Sequence, residues 1–107
     1  MKVTTTTRHA AYQTAAKFAG YDVPEHTPEA KAFAAAKQAS LVKLLKAKKD
    51  GFTYKGIGTP TPRGNVTHLW ANPSINTMVV LEGTQAVTVY PIKPTKYWDG
   101  RKFLMAN

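Results

Sequence analysis

An α+β domain, with two or three N-terminal helices packed on a four- to five-stranded antiparallel meander, is the fold class this sequence predicts. Three observations carry it. Apolar residues recur at helical spacing through the first half of the chain, residues 8–49. From residue 52 onward they alternate in short runs separated by Gly, Pro and Asn turns. No repeat or linker interrupts the 107 residues, so one domain is expected, with 1–50 as the helical layer and 51–107 as the sheet layer.

The first helix is expected over Arg8 to Ala19, where Ala11, Ala15 and Phe18 fall at i, i+4 and i+7 and Gly20 supplies a stop. Pro24 marks the following loop as irregular. Thr27-Pro28-Glu29 then carries a hydroxyl N-cap, a proline at the first helical position and an acid in the first turn. From there Phe33, Leu41, Leu44 and Leu45 form an apolar stripe, lysines gather in the last turns, and Asp50-Gly51 ends the helix. About 22 residues of helix span about 33 Å.

Strands are expected at Phe52–Lys55, Val66–Ala71, Thr77–Glu82 and Ala86–Pro91. Residues 56–64 read as a loop, Asn72-Pro73-Ser74 as a turn, and Gly83-Thr84 as a two-residue hairpin connection. That connection pairs Leu81 with Ala86, Val80 with Val87 and Val79 with Thr88. Met78, Val80, Val87 and Val89 then form an apolar face for the helices to cover, opposite Thr77, Val79, Thr88 and Tyr90. A last hairpin is expected at 96–103, where Asp99-Gly100 favours a type I′ turn.

Composition narrows the function classes. Fifteen Lys and Arg oppose six Asp and Glu, giving a formal charge of +9, and the hydrophobic share of 43% is that of a globular chain rather than a disordered one. Such a balance concentrates nucleic acid or acidic protein surfaces around the chain. The bases cluster: Lys37, Lys43, Lys46, Lys48 and Lys49 in one segment, then Lys93, Lys96, Arg101 and Lys102 near the end. There is no cysteine, so neither a disulfide framework nor a thiolate site is available. His9, His26 and His68 have no metal-ligand spacing. The six acids sit mostly at turns and helix starts, too scattered for a two-carboxylate or divalent-metal hydrolase. No cofactor, metal or membrane span is expected. No basic start followed by an apolar stretch is present, so the expectation is a cytoplasmic protein.

Among the remaining residues, the histidines carry the most chemistry. His9 follows Arg8 at a helix start, where a neutral imidazole can take a proton from a ribose 2′-hydroxyl beside a guanidinium that holds the phosphate. An exposed structural pair is the plainer account. His26 reads as a loop residue before an N-cap. His68 depends on register: with four unpaired residues in the Asn72–Asn76 connection it shares a face with Val79, Thr88 and Tyr90, and with five it joins Val80 and Val87. Gly56-Ile57-Gly58 lacks the third glycine of a dinucleotide loop and reads as a flexible connection, yet Lys55 and Arg63 bracket it as bases for phosphate contact. Tyr90, Lys93, Lys96, Tyr97, Trp98, Arg101, Lys102 and Phe103 interleave aromatic and basic groups, the pattern on which unpaired bases stack while lysines neutralise phosphates. The same pattern also describes a hairpin that covers a sheet edge.

The stretch Val66–Pro91 reads strand, Asn-Pro-Ser turn, Val-Val strand, Gly turn, then Ala-Val-Thr-Val-Tyr-Pro. Together with Arg8-His9-Ala10 ahead of the helices, it resembles bacterial ribonuclease toxins of the barnase/RelE-like group, over about a quarter of the chain. The resemblance implies helices before an antiparallel sheet and RNA cleavage without metal. It further implies His9 as general base or acid, Thr88 and Tyr90 as sheet-face phosphate or sugar contacts, and Arg63 or Lys55 as the cation of the transition state.

Three functional readings follow. One is a metal-independent endoribonuclease of toxin or effector type, with His9, His68 and Thr88 as catalytic candidates. A second is a non-catalytic nucleic-acid-binding module that holds RNA or DNA through Arg8, Lys46, Lys48, Lys49, Lys55, Arg63, Tyr90, Lys96, Trp98, Arg101 and Lys102. The third is a small phage-type protein that inhibits an acidic host protein through its basic face.

Overall fold

Two threonines start the two helices of this chain, whose computed structural model describes residues 1–94. After a short strand β1 (Thr5–Thr6), the Thr7 hydroxyl accepts from the Ala10 N–H and opens helix α1 (Arg8–Ala19). Gly20, at φ 75°, closes α1 in the left-handed conformation that a side chain would resist. Thr27 accepts from the Ala30 N–H and Pro28 occupies the first turn of α2 (Pro28–Ala47). A 3₁₀ turn over Lys49–Gly51 then leads into strands β2 (Thr53–Ile57), β3 (His68–Asn72), β4 (Thr77–Glu82) and β5 (Gln85–Pro91).

The five strands form one sheet in the order β1-β5-β4-β3-β2. The α+β class holds, with two helices. The expectation of a wholly antiparallel sheet is corrected at one edge. There β1 runs parallel to β5, pairing Thr5 with Gln85 and Thr6 with Ala86. Two residues are too few to show alternation, and β1 is held by tertiary contact with β5 and α2 instead. β2 also runs two residues further than expected, to Ile57, across a register shift between Tyr54 and Gly56, whereas Val66 lies outside β3. The expected hairpin at 96–103, with Lys96, Trp98, Arg101 and Lys102, lies outside the described residues.

The faces of β4 are the reverse of the expected ones, whereas Val89 faces the helices and Thr88 and Tyr90 face away from them, as expected. Gly83-Thr84 makes the two-residue connection and Leu81 pairs with Ala86, as the sequence indicates, but the next pairs are Val80 with Thr88 and Val79 with Val89. Val87 is therefore an extra residue in β5, a β-bulge. Without it, Thr88 and Tyr90 would share the face of Ala86. With it, Ala86 and Val89 both point at the helices and both are fully buried. The bulge puts an apolar side chain under α1 and spares two hydroxyls the cost of burial. The helix-facing side of β4 consists of Thr77, Val79 and Leu81, all buried, while Met78 and Val80 face the other way with Tyr90 and Thr88.

The core lies between that face and the helices. Phe18, Leu41, Leu45, Val79 and Val89 are the largest of its fully buried apolar side chains, each within 1% of complete burial. Each contributes roughly 1.5–3 kcal/mol by leaving water. Alanines at 10, 11 and 34 let α1 approach α2 and β5 closely. No helix among the described residues is long and apolar enough to cross a membrane.

Candidate functional site

The Gly20–His26 segment is fastened against α1 and α2 by aromatic side chains. The Tyr12 hydroxyl donates to the Val23 carbonyl at 2.8 Å. Tyr21 stacks on Phe33 with centroids 4.3 Å apart and meets Tyr12 edge-on at 5.9 Å. Desolvation of the Tyr21 phenol in this stack, then the charges of Glu29 and Asp22 and the neighbouring Tyr12, push its pKa above the ordinary tyrosine value. Thr27 closes the loop by donating from its hydroxyl to the Pro24 carbonyl at 2.8 Å.

This fastening sets Glu25 beside the first turn of α1, where its Oε2 lies 2.6 Å from Nδ1 of His9. With the imidazole proton on Nδ1, the ring donates to the carboxylate and its Nε2 is left as an acceptor. His9 is about half exposed and Glu25 about one quarter, so the pair is open to solvent. A cavity of about 300 Å³ opens here, lined by Thr7, Arg8, His9, Tyr12, Glu25, His26 and Lys31. Two cations, two imidazoles and one carboxylate thus line one cavity. Nothing in the spacing of residues 9 and 25 announces this pair, because only the folded loop brings them together. His26, which the sequence marks as a plain loop residue, borders the same cavity.

α1 continues along the part of β5 that lies beyond its pairing with β1. The Thr7 hydroxyl donates to the Val87 carbonyl at 3.4 Å, and Gln13, one turn beyond His9, accepts from the Val89 N–H at 3.1 Å. Thr88 lies between these two tethers, so its strand segment runs beside the helix that carries His9. Its side chain, however, points with that of Tyr90 to the sheet face away from the helices. A shallow cavity on that face is lined by Ile57, Gly58, Thr59, Leu69, Val80 and Tyr90.

His68 occupies a third place. Four residues, 73–76, are unpaired between β3 and β4, and His68 pairs with Leu81 and Trp70 with Val79. Of the two registers open to the sequence, this is the one that sets His68 on the Val79 face. Because of the β5 bulge, that face no longer includes Thr88 or Tyr90. The Tyr54 hydroxyl lies 2.8 Å from His68 Nδ1, and the Tyr54 ring meets Trp70 at 5.2 Å. The structure therefore does not gather His9, His68 and Thr88 into one site. His9 lines one cavity, His68 lines another, and Thr88 faces the opposite side of the sheet from His68.

The cationic candidates are spread across the surface. Arg8 and Lys31 flank the His9 cavity. Lys46, Lys48 and Lys49 are exposed together at the end of α2 and its 3₁₀ turn. Lys55 is exposed on β2, and Arg63 is exposed in the β2–β3 connection. That connection is held by hydrogen bonds at both ends rather than loose. Gly58 N–H donates to the Thr67 carbonyl, the Thr67 hydroxyl to the Thr59 carbonyl, and the Asn65 amide to Glu82 Oε1 at 2.8 Å. Among the described residues no three His, Asp or Glu side chains come together as metal ligands. Comparison with protein-family models, with curated proteins and with solved structures found no match to this chain, so its geometry alone carries the functional argument.

Proposed function

We propose that this chain is a nucleic-acid-directed protein that cleaves RNA without a metal ion, with His9 as its proton-transfer group. The observation that carries the reading is the 2.6 Å contact between His9 Nδ1 and Glu25 Oε2 in a cavity bordered by Arg8, His26 and Lys31. A carboxylate on one ring nitrogen holds the imidazole in place and leaves the other nitrogen to accept a proton.

In the proposed step, His9 Nε2 takes the proton of a ribose 2′-hydroxyl and O2′ attacks the adjacent phosphorus. The bond from phosphorus to O5′ breaks, and O5′ leaves with a proton from His26 or water. The products are a 2′,3′-cyclic phosphate and a 5′-hydroxyl end. Arg8 and Lys31, which line the same cavity, offset the charge on the pentacoordinate phosphate. The formal charge of +9 supplies long-range attraction for the polyanion.

The test is incubation of the purified chain with transfer RNA in EDTA, followed by end analysis of the fragments. Fragments ending in cyclic phosphate, and their loss in a folded His9→Ala variant, support the reading. Cleavage that persists in His9→Ala overturns the assignment to this cavity.

A further inference from the structure

The sheet face that carries the core is covered unevenly. α1 packs on β5 and α2 on β1, and the β2–β3 corner of the same face extends beyond them. At that corner Tyr54 pairs with Trp70 and Trp70 with Val79, so the two aromatic rings continue the plane of core side chains out toward solvent. Tyr54 is 45% exposed, an unusual cost for a phenol ring beside apolar neighbours. Its ring meets Trp70 edge-on at 5.2 Å and lies 5.6 Å from the His68 ring at 44°. These rings, with Lys2, Leu81, Gly83 and Thr84, line an open cavity of about 470 Å³. That size lies within the range of small-molecule sites, roughly 300–1,000 Å³.

We infer that this corner is a binding site for an unpaired base of single-stranded RNA. Three features select that ligand. The walls are aromatic and aliphatic, which suits a flat heterocycle through its π-face. With the Tyr54 phenol donating to His68 Nδ1 at 2.8 Å, the imidazole keeps Nε2–H as a donor for a ring carbonyl or ring nitrogen. Lys2 supplies a cation at the rim for the phosphate attached to that base. A duplex offers no such base, because its rings are already stacked. The site rests on the proposal that the chain meets RNA, but not on cleavage, and it shares no residue with the His9 cavity.

The experiment is a fluorescence-anisotropy titration of a labelled 12-nucleotide 2′-O-methyl oligouridylate and of a 12-base-pair 2′-O-methyl RNA duplex, neither of which has the hydroxyl needed for cleavage, at several salt concentrations. Full-length wild type, Tyr54→Ala, Trp70→Phe and Lys2→Ala are compared. Tyr54→Ala is expected to weaken single-strand binding by roughly 5- to 150-fold, the range for removal of one base stack, with the salt slope unchanged. Trp70→Phe keeps the buried part of that side chain and is expected to give a smaller loss. Lys2→Ala is expected to lower the log–log salt slope by about 0.7, one phosphate. Duplex binding should be the same for Tyr54→Ala as for wild type. Equal single-strand affinities for wild type and Tyr54→Ala, or equal losses on single strand and duplex, overturn the site.

Proton NMR of the His68 ring during addition of millimolar uridine 5′-monophosphate separates this inference from the one before it. Shifts of His68 in a chain that leaves RNA intact keep the base site and remove the cleavage. RNA cleavage with no His68 shift and an unaffected Tyr54→Ala does the reverse. A chain that binds neither RNA nor the mononucleotide overturns both.

Discussion

His9 Nδ1 and Glu25 Oε2 meet at 2.6 Å although 16 positions separate them along the chain. The contact depends on the loop between α1 and α2, which Tyr12, Tyr21 and Phe33 hold in place. An imidazole so oriented acts as a base through its far nitrogen, whereas a free surface histidine samples many rotamers and both tautomers.

If this pair performs the chemistry, His9→Ala lowers the rate of RNA cleavage by roughly 10²- to 10⁴-fold, the usual worth of a positioned general base. Glu25→Gln should cost about tenfold. A buried orienting carboxylate is worth roughly 10⁴-fold in a serine protease, but Glu25 is partly exposed and water can replace it in part. Single-turnover rates and circular dichroism on both variants check this. A Glu25→Gln rate equal to wild type would show that the ring needs no orienting partner.

The lysines at the end of α2 make a separate prediction about binding. Replacing Lys46, Lys48 and Lys49 together by Ala should reduce the affinity for every single-stranded sequence alike. The log–log salt slope should fall by about 0.7 for each phosphate that these lysines neutralise in the wild type. An unchanged slope would exclude this end of the helix from the interface.

Gly51 and Asn72 give a stability prediction. A Cβ on Gly51 would lie 2.5 Å from Asn72 Nδ2, and Asn72 is 2% exposed, with its Oδ1 accepting from the Ser74 hydroxyl at 2.7 Å. The amide has no room to yield. Gly51→Ala is therefore expected to destabilise the fold by roughly 1–3 kcal/mol, as overpacking does, and to lower Tm by several degrees. In a double-mutant cycle with Asn72→Ala the two losses should add to less than their sum, since the second change removes the clash.

Tyr21 contributes to the pH dependence of stability at alkaline pH. Its phenol is held above the ordinary tyrosine pKa by desolvation, then by Glu29, Tyr12 and Asp22. The folded state thus binds this proton more tightly than the unfolded chain. The associated stability is complete below the ordinary tyrosine value of about 10 and is lost as pH rises from there through the raised value. Ultraviolet titration of Tyr21→Phe should lack a phenol that ionises above the ordinary tyrosine range. Its melting temperature should also fall less steeply than wild type above about pH 10, where that linkage acts.

Much of the fold is legible in local chemistry. Thr7 and Thr27 cap their helices, Gly20 ends the first, and Gly83-Thr84 turns the hairpin, because each depends on residues within a few positions of itself. The basic surface and the candidacy of His9 are legible for the same reason, since charge and residue type need no neighbours to be read. The faces of β4 are not. Met78 and Val80 on one side are as apolar as Val79 and Leu81 on the other, so alternation shows a strand without saying which side the helices cover.

Three outcomes depend on long-range packing. Burial of Val89 under α1 selects the bulge at Val87, and that one extra residue turns Thr88 and Tyr90 away from His68. Packing of Tyr21 on Phe33 brings Glu25 to His9. The limited reach of two helices over five strands leaves Tyr54, His68 and Trp70 as an open aromatic corner. Each is a contact between segments far apart in sequence, and its energy depends on what the rest of the chain has already buried. Local residue chemistry settles the helices, most strand limits and the charge, whereas the assembled core settles which side chains share a surface.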